Sequence, residues 1–167
     1  HCLTGNMARC SSPETKRGPE EPSRLAYNDQ AMPQFANLSS FAEQMLIHEH
    51  ALVKIREDMP LDRAAVIGCA VMTGVGAIFH TAKVEPGSTV AVIGCGGVGL
   101  SAVMGAKVAG PGKIIAVDIA EQKLEKAKEL GADDLINASQ EDPQAKVVEL
   151  TGGGADAAIE CIGNTDV

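Results

Sequence analysis

The sequence predicts an α/β protein, a parallel sheet with helices packed on its faces. Three observations carry that prediction. Short β-branched runs alternate with helical stretches from Thr89 to Cys161. Gly110 and Gly131 stand where helix ends need a residue at positive φ. The run Thr89-Val-Ala-Val-Ile-Gly-Cys-Gly-Gly-Val-Gly-Leu100 breaks from a strand into Gly94-x-Gly96-x-x-Gly99 and then reads as a helix. Strand–helix alternation implies right-handed crossovers and a doubly wound sheet.

Taken in order, residues 1–36 are rich in Pro, Ser, Arg, Glu and Asn and read as irregular structure. The runs Gln44–Ile47 and Ala51–Ile55 suit short strands. Pro60 opens a helix, with Leu61, Ala64, Ala65, Ile67 and Cys69 mostly on one face. Small residues dominate from Gly68 to Ala82, which lets that helix pass close to other backbone or to a ligand. Glu85-Pro-Gly87 is a turn. Strand 89–94, helix 98–109, strand 113–118, helix 120–130, a strand near 134–137, helix 142–150 and strand 155–161 follow. That gives about four strands, and a six-stranded dinucleotide fold would need more chain beyond Val167.

The glycine pattern has a local physical logic. Gly94 permits a sharp turn off the strand, and Gly96 lets a pyrophosphate approach the backbone. Gly97 belongs to the same loop, and Gly99 lets the helix pack close to the sheet. The helix N-terminus offers unpaired N–H groups to an anion. Asp118 closes the second strand, about twenty residues on. Its carboxylate can accept from both adenosine ribose hydroxyls and would repel a 2′-phosphate. NAD is therefore expected over NADP.

Composition narrows the partners. A formal net charge of −8 argues against nucleic acid and anionic membranes. No apolar run is expected to approach the length of a bilayer span, and no signal peptide opens the chain. The first residue is His1, as expected for a piece of a longer protein. Five cysteines without a secretory signal point to a reducing, cytoplasmic setting. From spacing alone, Cys2 and Cys10 are two of the four ligands a structural zinc needs, and two free cysteines is the simpler reading. Cys69 reads by itself as an apolar cysteine. His48, His50 and His80 read as solvated or satisfied, and Gly152–Gly154 as a flexible turn.

The segments Ile67-Gly-Cys-Ala-Val-Met-Thr-Gly-Val-Gly-Ala77, Thr81–Leu100, Met104–Gly110 and Ile115-Ala-Val-Asp-Ile119 resemble the zinc-dependent alcohol dehydrogenases of the medium-chain dehydrogenase/reductase superfamily. The resemblance is closest to the class III-like branch, which includes glutathione-dependent formaldehyde dehydrogenases. It implies a Rossmann-type doubly wound parallel sheet over residues 69–167, incomplete. Before it, residues 1–68 would be the end of a GroES-like catalytic domain with a remnant of a structural-zinc lobe. Cys69 matches a ligand of the family's catalytic zinc. Cys2 and Cys10 match the third and fourth lobe cysteines, and Thr73 matches the threonine beside the nicotinamide. Val98 matches the residue approaching the phosphates or nicotinamide from the glycine loop. Lys123 matches a basic residue near the adenosine ribose, and Cys161 and Ile162 match the strand end lining the coenzyme cleft.

The implied cofactors are NAD and zinc, and the implied substrate is a small alcohol or aldehyde. The expected assembly is a homo-oligomer when full-length. The family's remaining catalytic-zinc ligands, two of its lobe cysteines and its proton relay do not match residues of this sequence. The fragment alone is therefore expected to be inactive. Two alternatives stand beside this reading: a non-catalytic NAD-binding module, and a zinc-free reductase of the same superfamily.

Overall fold

The computed structural model describes residues 21–23, 25–32, 41–45, 47, 49 and 52–164. The chain divides into two compact units, His1–Asp58 and Met59–Val167.

In the first unit, β1 (Leu25–Tyr27) and β2 (Gln30–Met32) form an antiparallel hairpin, with Tyr27 opposite Gln30. Asn28 and Asp29 both have positive φ, 50° and 61°, which twists the two-residue turn to suit the strands. Asn and Asp tolerate that region better than other residues with a side chain. This hairpin lies inside a stretch expected to be irregular. Its signal was the polar pair between Leu-Ala-Tyr and Gln-Ala-Met, too short to show an alternation. The strands expected at 44–47 and 51–55 are not formed at the described positions there. Leu52, Val53 and Ile55 are exposed, and no pairing with them occurs among the described residues. An apolar run becomes a strand only where an edge takes its hydrogen bonds.

The second unit opens with one helical run. It comprises α1 (Leu61–Val66), a wide π-type segment Ile67–Val71, α2 (Met72–Gly76) and a second wide segment Ala77–Ala82. Lys83, left-handed at φ 51°, ends it. The expected apolar face at Leu61, Ala65, Ile67 and Cys69 is exposed. Burial begins further along, at Gly74 and the fully buried Ile78. The packing partner selects the face, and the partner is reached through the glycine and not through the leucine. At 22 residues the run is long and apolar enough to cross a bilayer by length and composition, which corrects the expectation that no apolar run approaches that length. Ala70, Gly74, Val75 and Ile78 of this run lie against the next helix.

The sheet follows: β3 (Thr89–Ile93), β4 (Lys113–Asp118), β5 (Asp134–Asn137) and β6 (Ala157–Glu160). Its order is β5-β4-β3-β6, all parallel. Between the strands run α3 (Gly97–Ala109), α4 (Glu121–Leu130) and α5 (Pro143–Thr151). The expected elements from 89 onward are therefore present, each within two residues of its expected end. Gly110 and Gly131 end α3 and α4 at φ 75° and 121°. Asp142 caps α5, accepting from the N–H groups of Gln144 and Ala145.

Side-chain alternation along β4 gives the sheet two buried faces. Ile114 and Ala116 join Val90, Val92, Ala102, Val103, Leu124 and Ala127 in one core cluster. Ile115 and Val117 join Ile136 on the other side, where Val147 and Leu150 of α5 cover them. Burial on both faces is what lets a parallel sheet dispense with polar alternation.

Leu124 is 1% exposed and pins α4 to the sheet. Replacing it with Ala should cost about 2–5 kcal/mol, read as a lowered urea midpoint with unchanged m-value. A loss below about 1 kcal/mol would mean that the site collapses around the smaller residue.

Candidate coenzyme site

In an open parallel sheet, ligands bind beyond the carboxyl ends of the strands, where the strand order reverses. Here β4 and β6 lie on either side of β3, and the glycine turn leaves the carboxyl end of β3 between them. Gly94 has φ 94°, and its N–H donates to Val117 O at 2.7 Å. A Cβ on Gly94 would stand 2.6 Å from Ile162 Cγ1, and one on Gly99 would collide with the Gly94 carbonyl oxygen. At Gly96 a Cβ would meet nothing within 4 Å. Two glycines of the motif are therefore demanded by packing, and the third leaves open backbone in front of α3. Gly96 also begins α3 with no side-chain cap, so the first amides of the helix are not covered by a side chain of that residue. That is the arrangement an anionic pyrophosphate needs.

Asp118, 7% exposed, ends β4. One carboxylate oxygen accepts the Cys95 N–H at 2.8 Å and the other the Ala120 N–H at 2.9 Å. Lys123 Nζ is 3.7 Å away. Burial alone would push this carboxyl up. The amides of Cys95, Ala120 and Ile119 and the Lys123 ammonium outweigh it and hold the pKa below the ordinary value. A carboxylate has about four acceptor sites, so two backbone bonds leave lone pairs for ribose hydroxyls. The Cys95 thiol is buried, and burial, with the Asp118 and Cys161 charges adding to it, pushes its pKa up to about 11. It is an inert core thiol.

The loop after β6 meets the same turn. Cys161 N–H donates to Ile93 O at 2.8 Å, and Ile162 lies against Gly94. Glu160 accepts the N–H groups of Ile162 and Gly163, a role no motif in the sequence announced. On another side, the helical run closes on α3. A Cβ on Gly74 would strike Val98 O, Ala102 N and Ser101 Cβ, while Ala70 Cβ would be 3.5 Å from one on Gly97. Cys69 and Thr73, both exposed, each precede one of these contact residues. The fold thus gathers Gly94, Gly96, Gly97, Val98, Gly99, Asp118, Lys123, Cys161 and Ile162 at one end of the sheet. It carries Cys69 and Thr73 to the helix that abuts it. Cys2 and Cys10 lie outside the described residues.

Among the described residues no three His, Cys, Asp or Glu side chains stand together as a metal site. Cys69 offers one thiolate where a catalytic zinc takes three protein ligands. The described residues therefore fit the dinucleotide and do not by themselves fit the metal. An open depression of about 520 Å³, lined by residues 82–88, Asp156 and Ala157, lies at the amino ends of β3 and β6, away from the glycine turn.

Fold and turn together define a dinucleotide-binding domain of the doubly wound class. Residues 97–167 match the family model described as zinc-binding dehydrogenase. An S-(hydroxymethyl)glutathione dehydrogenase from Synechocystis sp. is 41% identical over 172 residues, spanning 99% of this chain and 47% of that protein. Among solved structures, an alcohol dehydrogenase zinc-binding domain protein from Burkholderia ambifaria aligns with TM-score 0.75 and 42% identity. That alignment covers 79% of this chain and 36% of the other. Benzyl alcohol dehydrogenase from Acinetobacter calcoaceticus aligns with TM-score 0.74 and 44% identity, covering 77% and 36%. The chain is thus similar over residues 97–167 to the zinc-binding dehydrogenase model, and over most of its length to part of several alcohol dehydrogenases. It spans about half the length of the curated relative it matches.

Because the folded-state pKa of Asp118 is depressed, its charged hydrogen bonds stabilise the fold above the unfolded value, roughly 3.9. The contribution is lost as pH falls through the folded-state value. Asp118→Asn should therefore be less stable at pH 7 by about 1–3 kcal/mol, with the gap closing below about pH 4. Urea midpoints at pH 7, 5, 4 and 3 check it; a gap independent of pH would remove the carboxylate's charge from the account.

Proposed function

We propose that this chain is the coenzyme-holding portion of an NAD-linked, zinc-dependent alcohol dehydrogenase. The whole protein would oxidise an alcohol, or a hydroxymethyl adduct, to the carbonyl compound by hydride transfer to NAD. The observation that carries the reading is the Gly94–Gly99 turn bound by its own Cys95 amide to the acid at the end of the next strand. Asp118 receives the adenosine ribose, with Lys123 beside it. The open backbone at Gly96, Gly97 and Val98 and the start of α3 receive the pyrophosphate. Cys161 and Ile162 line the cleft beyond. Thr73 faces the nicotinamide side, and Cys69 contributes one thiolate to the metal. Zinc, when bound, supplies Lewis-acid polarisation of the substrate oxygen.

Residues 1–68 are read as the end of the catalytic domain, with Cys2 and Cys10 in its zinc lobe, and residues 69–167 as the coenzyme domain. A cytoplasmic homo-oligomer acting on small molecules, apart from nucleic acid and membranes, completes the proposal. A second reading, an NAD-binding module without catalysis, draws on Cys69 being a solitary ligand among the described residues.

Calorimetric titration with NAD and NADP tests the coenzyme assignment. NAD should bind the more tightly, and Asp118→Asn should narrow the difference, since the mutation removes the charge opposing a 2′-phosphate. NADP binding as tight as NAD binding would remove Asp118 as selector. Zinc analysis separates the two readings. This chain alone should hold no tight stoichiometric zinc and oxidise no alcohol, because one thiolate does not make a catalytic site. One equivalent bound by the wild type and lost in Cys69→Ala would instead show Cys69 completing a site within this chain.

A further inference from the structure

The residues that follow β6 are largely exposed, yet they set one wall of the glycine turn. Ile162 fills the space in front of Gly94, where a Cβ would stand 2.6 Å from its Cγ1. Gly163, at φ 77°, then redirects the chain. What holds this geometry is a single carboxylate. Glu160 Oε1 accepts both the Ile162 N–H and the Gly163 N–H, the latter at 2.7 Å. Charge-assisted bonds of this kind are stronger than neutral ones. On the other side of the loop, Cys161 N–H is held by Ile93 O at 2.8 Å, which anchors its first residue to β3. Glu160 itself is the register partner of Ile93, the last residue of β3.

We propose that Glu160 is a positioning residue for the nicotinamide half of the dinucleotide, acting by fixing the loop from Cys161 to Gly163 against Gly94. The inference rests on the coenzyme reading above. The strand order supplies the direction. Asp118 ends β4 on one flank of β3, and Glu160 ends β6 on the other. A dinucleotide whose adenosine ribose sits at Asp118 and whose pyrophosphate crosses the turn after β3 extends its remaining half over the end of β6. Glu160 need not touch the ligand. It presents Ile162 and the backbone beside it in one conformation, so less ordering remains for binding to supply.

The test compares ligands that do and do not reach β6. Dissociation constants for NAD and for AMP are measured calorimetrically on the purified wild type, Glu160→Ala and Glu160→Gln, with thermal unfolding midpoints alongside. Glu160→Ala should weaken NAD by about tenfold, the loss expected for removing charged acceptor bonds, and leave AMP within about twofold. Glu160→Gln keeps an acceptor oxygen and should recover most of the NAD affinity. Should Glu160→Ala fail to fold, Gly163→Ala disturbs the same loop through its positive φ and should show the same selective loss of NAD. Wild type that binds NAD while Glu160→Ala binds it equally well overturns this inference alone. Equal loss of NAD and AMP would make Glu160 a general structural residue and also overturn it. Wild type that binds no NAD overturns the coenzyme reading, and this inference with it.

Discussion

The bond from the Cys95 amide to the Asp118 carboxylate organises the carboxyl end of this sheet. Cys95 lies between the two glycines that turn the chain off β3, and Asp118 is the last residue of β4. One buried hydrogen bond of 2.8 Å thus ties the glycine turn to the acid that ends β4. The same carboxylate takes the Ala120 amide and so also fixes the entry to α4. Removing it would leave two amide donors to find water in a crowded place. Leaving donors unsatisfied costs more than a made bond contributes. The bonds that stabilise the turn are therefore the ones that keep Asp118 ionised.

The glycines divide by role once the contacts are known. Gly94 and Gly99 are forced by neighbours, whereas Gly96 faces open space. The sequence pattern lists the three alike, and only the packing separates a glycine that must fit from one that leaves room. Gly74 stands outside the Gly94–Gly99 pattern, yet it meets the backbone of α3 more closely than Gly97 meets anything.

The second half of the fold was legible in the chain because local and global signals agree there. β-branched strands, glycine helix ends and an Asp cap before Pro143 all point to the same elements, and the register brought the acid beside the turn. The first half was less legible. Leu52, Val53 and Ile55 look like a strand by composition, but strand formation depends on a partner that no local run can specify. The hairpin at Leu25–Met32 was hidden by strands of three residues each. The apolar face drawn from Leu61 failed because the partner helix accepts a glycine and Ile78 instead. Glu160 was invisible for another reason: its effect lies in two backbone amides after it, and unlike Asp118 it stands at no spacing that the glycine pattern specifies.

The contact at Gly74 has a mechanical meaning. At Gly74 the first helix meets the backbone of α3 with no side chain of its own between them, so at that point it has nothing to compress or rotate. Interposed side chains would act as a bearing that lets one helix shift while the other stays. Here the crossing behaves as a weld. A tilt of α3 would be passed on at that point to the residues beside it, Thr73 one position before Gly74 and Cys69 about one turn earlier.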